Sequence, residues 1–121
     1  MRGFGDLEAA IMDRFWSRGE PATVRDILTE LRPQRELAYN TVLTVVDNLY
    51  KKGWLVREAA GRAHRFTPTA SREQYSARLM RDALDEGGDP QLALLQFVGQ
   101  MTPQEADALR AALAAYEQGR P

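Results

Sequence analysis

The sequence predicts a mainly α-helical protein: an N-terminal winged helix-turn-helix of three helices and a β-hairpin wing, then a three-helix C-terminal dimerisation region. Three observations predict it. Residues 39–53 carry Val42, Val45, Val46 and Leu49 at the i, i+3, i+4, i+7 spacing of one buried helical face. Directly after Gly53 the period changes from about 3.6 to 2, as it does where a helix gives way to strands. Beyond Ala70 the pattern is helical again, with more apolar surface than three short helices bury by themselves.

In chain order, Asp6 is the expected N-cap of a first helix running to about Ser17, with Leu7, Ala10, Ile11 and Phe15 on one face and Trp16 near its end. Arg18-Gly19-Glu20-Pro21 breaks it. Thr23-Val24-Arg25-Asp26 has the form of a capping box, opening a second helix whose Val24, Ile27, Leu28 and Leu31 point inward until Pro33 stops it. A loop from Pro33 to Leu37 leads into the central helix, with Gly53 as its expected C-cap. The strands follow as residues 54–58 and 63–68, around a turn containing Gly61 and Arg62. Ser71, with Glu73 and Gln74 in the first turn, starts the next helix, which ends at Gly87-Gly88. Asp89-Pro90 caps another, with Leu92, Leu94, Leu95, Phe97 and Val98 nearly encircling it. Thr102-Pro103-Gln104-Glu105 is a second capping box, and Ala106, Leu109, Leu113 and Tyr116 then follow at the spacing of a short coiled-coil-like seam. The expected domains are residues 1–69 and 70–121.

With 121 residues the chain holds one domain, or a small domain plus a dimerisation segment. The net charge of −1 hides an asymmetry: through Ala70 eleven Arg and Lys face nine Asp and Glu, whereas from Ser71 on five face eight. Between Arg32 and Arg65 the count is seven against three, so positive charge gathers around the central helix and hairpin. There is no cysteine, which excludes disulfides, thiol redox sensing and thiolate metal sites. The single His64 excludes a multi-histidine metal site, and it is read as a strand residue with local hydrogen bonds. No apolar signal segment opens the chain and no run reaches membrane-spanning length, so a cytoplasmic protein without membrane insertion is expected.

Opposite the apolar stripe, the central helix collects Asn40, Thr44, Asp47 and Lys51, with Thr41 and Asn48 on the flank and Lys52 following. Asn can pair with adenine edges and Thr can meet a thymine methyl in a DNA major groove. A solvated polar face is the competing reading of the helix taken alone. The helix itself, the neighbouring wing and the charge asymmetry agree in favouring DNA. Asn40, Thr41, Thr44 and Asn48 are then candidate base or phosphate contacts, and Lys51, Lys52, Arg62 and Arg65 candidate phosphate grips. Arg32 and Arg35 fit contact or solvent equally well. Tyr75, Leu79, Leu92, Leu95, Phe97, Leu109, Leu113 and Tyr116 are the candidate dimerisation residues, and a two-fold molecule expects an inverted-repeat operator in double-stranded DNA. No catalytic constellation, phosphate-binding glycine loop or cofactor motif is found, so an enzyme is not expected and no catalytic, metal or cofactor site is assigned.

Several stretches together resemble the penicillinase-repressor family of transcriptional regulators, over nearly the whole chain. They are Trp16; Pro21-Ala22-Thr23-Val24; Ala38-Tyr39-Asn40-Thr41-Val42-Leu43-Thr44-Val45-Val46 with Leu49 and Lys52-Gly53; Ala63-His64-Arg65-Phe66-Thr67-Pro68; and Leu94-Leu95-Gln96-Phe97-Val98. The resemblance implies a homodimeric repressor on palindromic operators, controlling β-lactamase or related resistance and cell-envelope genes and its own operon. It also implies induction through a membrane sensor-protease that acts indirectly, with cleavage in the dimerisation region. Three positions depart from the family pattern. Asn48 stands where arginine is common, and Asp47 puts a negative charge on the DNA face. Gln96-Phe97, the candidate cleavage site, stands where staphylococcal members have Asn-Phe. The cysteine-rich motif of copper-responsive relatives is absent. The alternatives are a winged-helix module that binds protein, and a ligand-sensing winged-helix regulator.

Overall fold

The computed structural model describes residues 3–119. Its elements are α1 (Asp6–Arg18), α2 (Val24–Leu31), α3 (Tyr39–Lys51), β1 (Leu55–Ala60), β2 (Ala63–Pro68), α4 (Arg72–Glu86), α5 (Pro90–Val98) and α6 (Pro103–Gln118). Packing divides the chain into two units between Leu79 and Met80, inside α4. The expected boundary at 69/70 marks the end of the wing, ten residues earlier, because the first turns of α4 pack with the N-terminal unit.

Each N-terminal helix is bounded by local chemistry. Gly5, not the expected Asp6, is the N-cap of α1. The Glu8 carboxylate reaches back to accept the Gly5 N–H at 3.1 Å, which leaves Asp6 inside the first turn, near the positive end of the helix. At α2 the expected box is complete: Thr23 Oγ1 accepts from the Asp26 N–H at 3.1 Å, and Asp26 accepts from the Thr23 N–H at 3.0 Å. At the end of α3 the cap residue is Lys52, with Gly53 one position beyond at φ 90°. The Gly53 N–H bonds the Tyr50 carbonyl and the Trp54 N–H bonds that of Leu49, both at 3.0 Å. This is a Schellman motif, and it starts the turn that sends the chain into the wing.

The core of the first unit is one cluster. Ile11, Met12 and Phe15 of α1, Ile27 and Leu28 of α2, and Val42, Val46 and Leu49 of α3 meet Leu55 of β1 and Phe66 of β2. Phe66 takes edge-to-face positions against Phe15 and Tyr50, with ring centroids 6.5 and 6.3 Å away. The strands pair antiparallel from Leu55↔Pro68 to Ala60↔Ala63. Gly61, at φ 66°, takes the first of the two turn positions and leaves Arg62 at an ordinary φ, the sign pattern of a type II′ hairpin turn. Trp54, expected in the first strand, lies just before it.

One connection has no counterpart in the sequence pattern: Ala22 forms an antiparallel bridge with Phe66. The Ala22 N–H donates to the Phe66 carbonyl at 3.1 Å and the Phe66 N–H returns the bond at 2.8 Å. The wing is therefore tied to the α1–α2 connection through backbone as well as side chain.

In the C-terminal unit the expected caps are present. Asp89 Oδ1 accepts from the Gln91 N–H at 2.9 Å, and Thr102 and Glu105 exchange bonds of 2.9 and 3.1 Å. Packing is another matter. Among the described residues, none beyond Ala70 is buried. Leu92, Leu94, Leu95, Phe97 and Val98 of α5, and Leu113 of α6, are exposed.

The two capping carboxylates make stability depend on pH. Asp26 is held below its ordinary pKa chiefly by the Thr23 N–H, with burial opposing and the Thr23 hydroxyl and Arg18 adding. Glu8 is lowered chiefly by the Gly5 N–H, with burial again opposing and Lys52 adding. A carboxyl whose pKa is lower folded than unfolded stabilises fully above the ordinary value of about 4, and the contribution is lost as pH falls through the folded value. Urea unfolding should therefore show a lower midpoint at acid than at neutral pH. A Glu8→Gln, Asp26→Asn double variant should be weaker than the parent at neutral pH and lose less on acidification. Equal acid sensitivity in the two proteins would assign the effect to other groups.

Candidate nucleic-acid interface

Because Val42, Val46 and Leu49 are fully buried, the opposite face of α3 is held in solvent. Asn40, Thr41, Thr44 and Asn48 are all exposed on it. So is Leu43, with 39% of its surface accessible, an apolar side chain beside the polar ones that the sequence reading left out. Its place beside the apolar stripe could have flagged it, since it falls outside the i, i+3, i+4 set. Asp47 is half-buried and pairs with Lys51 one turn on, at 2.9 Å, so the negative charge on this face is met within the helix.

The cations of the first unit sort into two groups. Arg18 pairs with Glu30, Glu20 and Asp26, and Arg14 with Asp13 and Glu30. Lys52 Nζ meets Glu8 at 3.0 Å and Arg72 meets Asp13 at 2.6 Å. Of the expected phosphate grips, then, Lys51 and Lys52 already have carboxylate partners. These are exposed pairs of small net worth, which open readily to a better anion. By contrast Arg25, Arg32, Arg35, Arg57, Arg62, Arg65 and Arg78 are exposed and make no ion pair among the described residues. Arg62 sits in the hairpin turn. Arg65 lies on β2 opposite Glu58 in register, and near enough to Asp26 to help lower its pKa. Three of the unpaired arginines are held by aromatic rings: Arg25 lies 4.8 Å from the centre of the Tyr39 ring, Arg57 4.3 Å from that of Tyr50 and Arg78 5.0 Å from that of Trp54. His64 is exposed, with its ring edge-on to Phe66 at 6.5 Å.

The capped end of α3 is braced by an aromatic cluster. Phe4 stacks on Tyr75 with centroids 4.1 Å apart, and Trp54 stands edge-on to both at 5.1 Å. Trp16 completes the group and donates from Nε1 to the Ala70 carbonyl at 2.9 Å. The Phe4 N–H donates to the Tyr75 hydroxyl at 2.7 Å. Tyr75, expected to face a second chain, instead spends its ring and its hydroxyl inside the N-terminal unit. Leu79 follows it one turn later, half-buried near Gly3. The other expected dimerisation residues lie in the C-terminal unit, where Leu92, Leu95, Phe97, Leu113 and Tyr116 are exposed and Leu109 is half-buried. Gln96 and Phe97 lie in the last turn of α5.

Among the described residues no group of His, Cys, Asp or Glu is arranged to hold a metal ion, and no helix is long and apolar enough to cross a membrane. What the geometry offers is one helix with short polar side chains outward, flanked by unpaired arginines and a hairpin. Such a surface suits a groove lined with phosphates.

Comparison with known proteins gives a concordant picture. The family model described as penicillinase repressor matches residues 4–115. The transcriptional regulator BlaI of Mycobacterium tuberculosis, in strains CDC 1551 / Oshkosh and ATCC 25618 / H37Rv, is 48% identical over 118 residues, covering 95% of this chain and 86% of that protein. An uncharacterised 16.5 kDa protein of Latilactobacillus sakei is 36% identical over 62 residues, 51% of this chain and 42% of that one. Among solved structures, the solution structure of the DNA binding domain of the repressor BlaI matches with TM-score 0.53 at 24% identity, covering 62% of this chain and 94% of that one. That likeness bears on the fold, and it agrees with a winged helix.

Proposed function

Because this chain belongs to the penicillinase repressor family, whose match spans residues 4–115, we propose that it is a homodimeric repressor that binds an inverted-repeat operator. On this reading residues 1–69 bind DNA and residues 70–121 dimerise, with the first turns of α4 braced against the former. The observation that carries the DNA side of the reading is the division of α3 into a fully buried stripe and a face of exposed amides and hydroxyls. Asn40, Thr41, Thr44 and Asn48 meet base edges or nearby phosphates, and Leu43 offers an apolar contact for a thymine methyl. Arg62 and Arg65 hold phosphate from the wing, while Lys51 and Lys52 join by exchanging Asp47 and Glu8 for phosphate oxygens.

The dimer side rests on the lack, among the described residues, of any buried residue beyond Ala70. The exposed leucines of α5 and Leu113 of α6 favour removal from water at roughly 25 cal/mol per Å² of apolar area. A second copy presents the same surface and closes the assembly with two-fold symmetry. As the family resemblance implies, the genes controlled are β-lactamase or related resistance or cell-envelope genes and the protein's own operon, and the protein acts in the cytoplasm. Gln96-Phe97 is the candidate site at which proteolysis would release the operator. Its place in the last turn of α5 means that only a short stretch of helix must open to admit a protease.

Two measurements test the reading. In titrations of labelled duplexes, Thr44→Ala should cost about 1–3 kcal/mol and relax preference at particular bases, whereas Arg62→Ala should weaken all sequences alike and flatten the salt dependence by about one unit per contact. The reverse pattern would overturn the assignment of roles. In sedimentation velocity the parent should run as a dimer, and Leu113→Glu should shift it towards monomer and weaken operator binding. A charged variant that sediments unchanged would remove the tail from the interface.

A further inference from the structure

Both ends of α3 carry a tyrosine, and each tyrosine carries an arginine from a different element. Tyr39 is the first residue of the helix and Tyr50 the last but one. Arg25, from the first turn of α2, lies over Tyr39, and Arg57, from β1, lies over Tyr50. Both guanidinium groups are exposed and neither has a carboxylate partner among the described residues. Arg14, Arg18, Lys52 and Arg72, packed around the helices of this unit, are by contrast neutralised. An arginine needed only to balance charge would sit among acids, and these two do not.

We propose that Arg25 and Arg57 are a pair of pre-ordered phosphate clamps bracketing the recognition helix, each aimed by the tyrosine ring beneath it. Eleven residues of helix separate the two rings, about 16 Å along the axis. A recognition helix lies in the major groove, so guanidinium groups held on elements flanking its two ends reach phosphates at separated points of the backbones that wall the groove. A guanidinium presents parallel N–H donors that match two phosphate oxygens at once. Stacking on a ring leaves that edge free while removing much of the rotamer freedom that a solvated arginine would lose on binding. Two clamps at separated phosphates fix where along the groove α3 sits, and so which bases Asn40 and Thr44 can reach. Neither clamp reads a base. They are positioning residues for the readout made by others.

The inference rests on the DNA-binding reading, and one experiment separates their fates. The intact protein selects duplexes from a random-sequence pool, and a recovered duplex, labelled, is titrated at several salt concentrations with the parent and with variants at solvent-exposed positions. Arg25→Ala and Arg57→Ala should each flatten the slope of log affinity against log salt by about 0.9 per protomer, and the double variant by about twice that. Arg81→Ala, which removes a charge paired with Asp85 on α4, should keep the parent slope. Tyr39→Ala should keep the slope but weaken binding, because the charge remains and its aim is lost, while Tyr39→Phe should bind like the parent. A double variant with the parent slope overturns the clamps, as does an equal loss in Arg81→Ala. Weakening in Tyr39→Phe equal to that in Tyr39→Ala overturns the role of the ring, since the hydroxyl would then be the contact. A parent protein with no salt-dependent affinity for any duplex overturns the DNA-binding reading itself, and the clamps with it.

Discussion

The seating of α3 is the constraint on which the N-terminal unit depends. Val42, Val46 and Leu49 have no accessible surface, so rotating the helix by even one residue would put a valine in water and a threonine or asparagine in the core. Fully burying such side chains is worth on the order of 1.5–3 kcal/mol each, a large fraction of the stability of a small domain. The same seating decides what the solvent sees. The exposed face of α3 is thus set by the packing of its hidden one, and its display of Asn40, Thr41 and Thr44 follows from the core without any contact between those residues themselves. The Schellman motif at Gly53 then directs the chain into the hairpin, and Phe66 brings that hairpin back to the same core.

Much of this was legible in the residues, because it is written in local patterns. Thr23 with Asp26, Asp89 with Pro90, and Thr102 with Glu105 mark helix starts by chemistry that acts within four residues. The hairpin follows from a change of period and one glycine. What escaped were pairings between distant segments. The Ala22–Phe66 bridge is two hydrogen bonds long and leaves no alternation to detect. Gly5 caps α1 only because Glu8 reaches back to it. On the candidate interface, the wheel correctly separated the faces of α3 but could not say which cations were already engaged. Lys52 lies forty-four residues from Glu8, and no sequence pattern links them. Nor does helical spacing distinguish a Tyr75 that stacks on Phe4 from one that faces another chain.

The two halves of the chain bury apolar surface in different ways. The first unit encloses its core with three helices and a hairpin. In the second, caps and helix propensity hold α5 and α6 in shape while Leu92, Leu94, Leu95 and Leu113 remain wet. Helices of nine and sixteen residues are marginal in water without tertiary packing. The proposed dimer resolves this by making folding of the tail and association a single event. A protein built that way would have its affinity for a two-fold operator set by its own concentration as well as by its contacts.

The aromatic cluster at the base of α4 has a practical side. The chain contains two tryptophans, Trp16 and Trp54, and both belong to this cluster with Tyr75. Arg72 and Arg78 of α4 lie over their rings at 5.6 and 5.0 Å. Tryptophan emission from the intact protein therefore comes from one place, the seam where α4 leaves the winged helix. The molecule carries its own optical gauge of that joint, which needs no dye and is spoiled by whatever disturbs Phe4, including a tag fused close to the N-terminus.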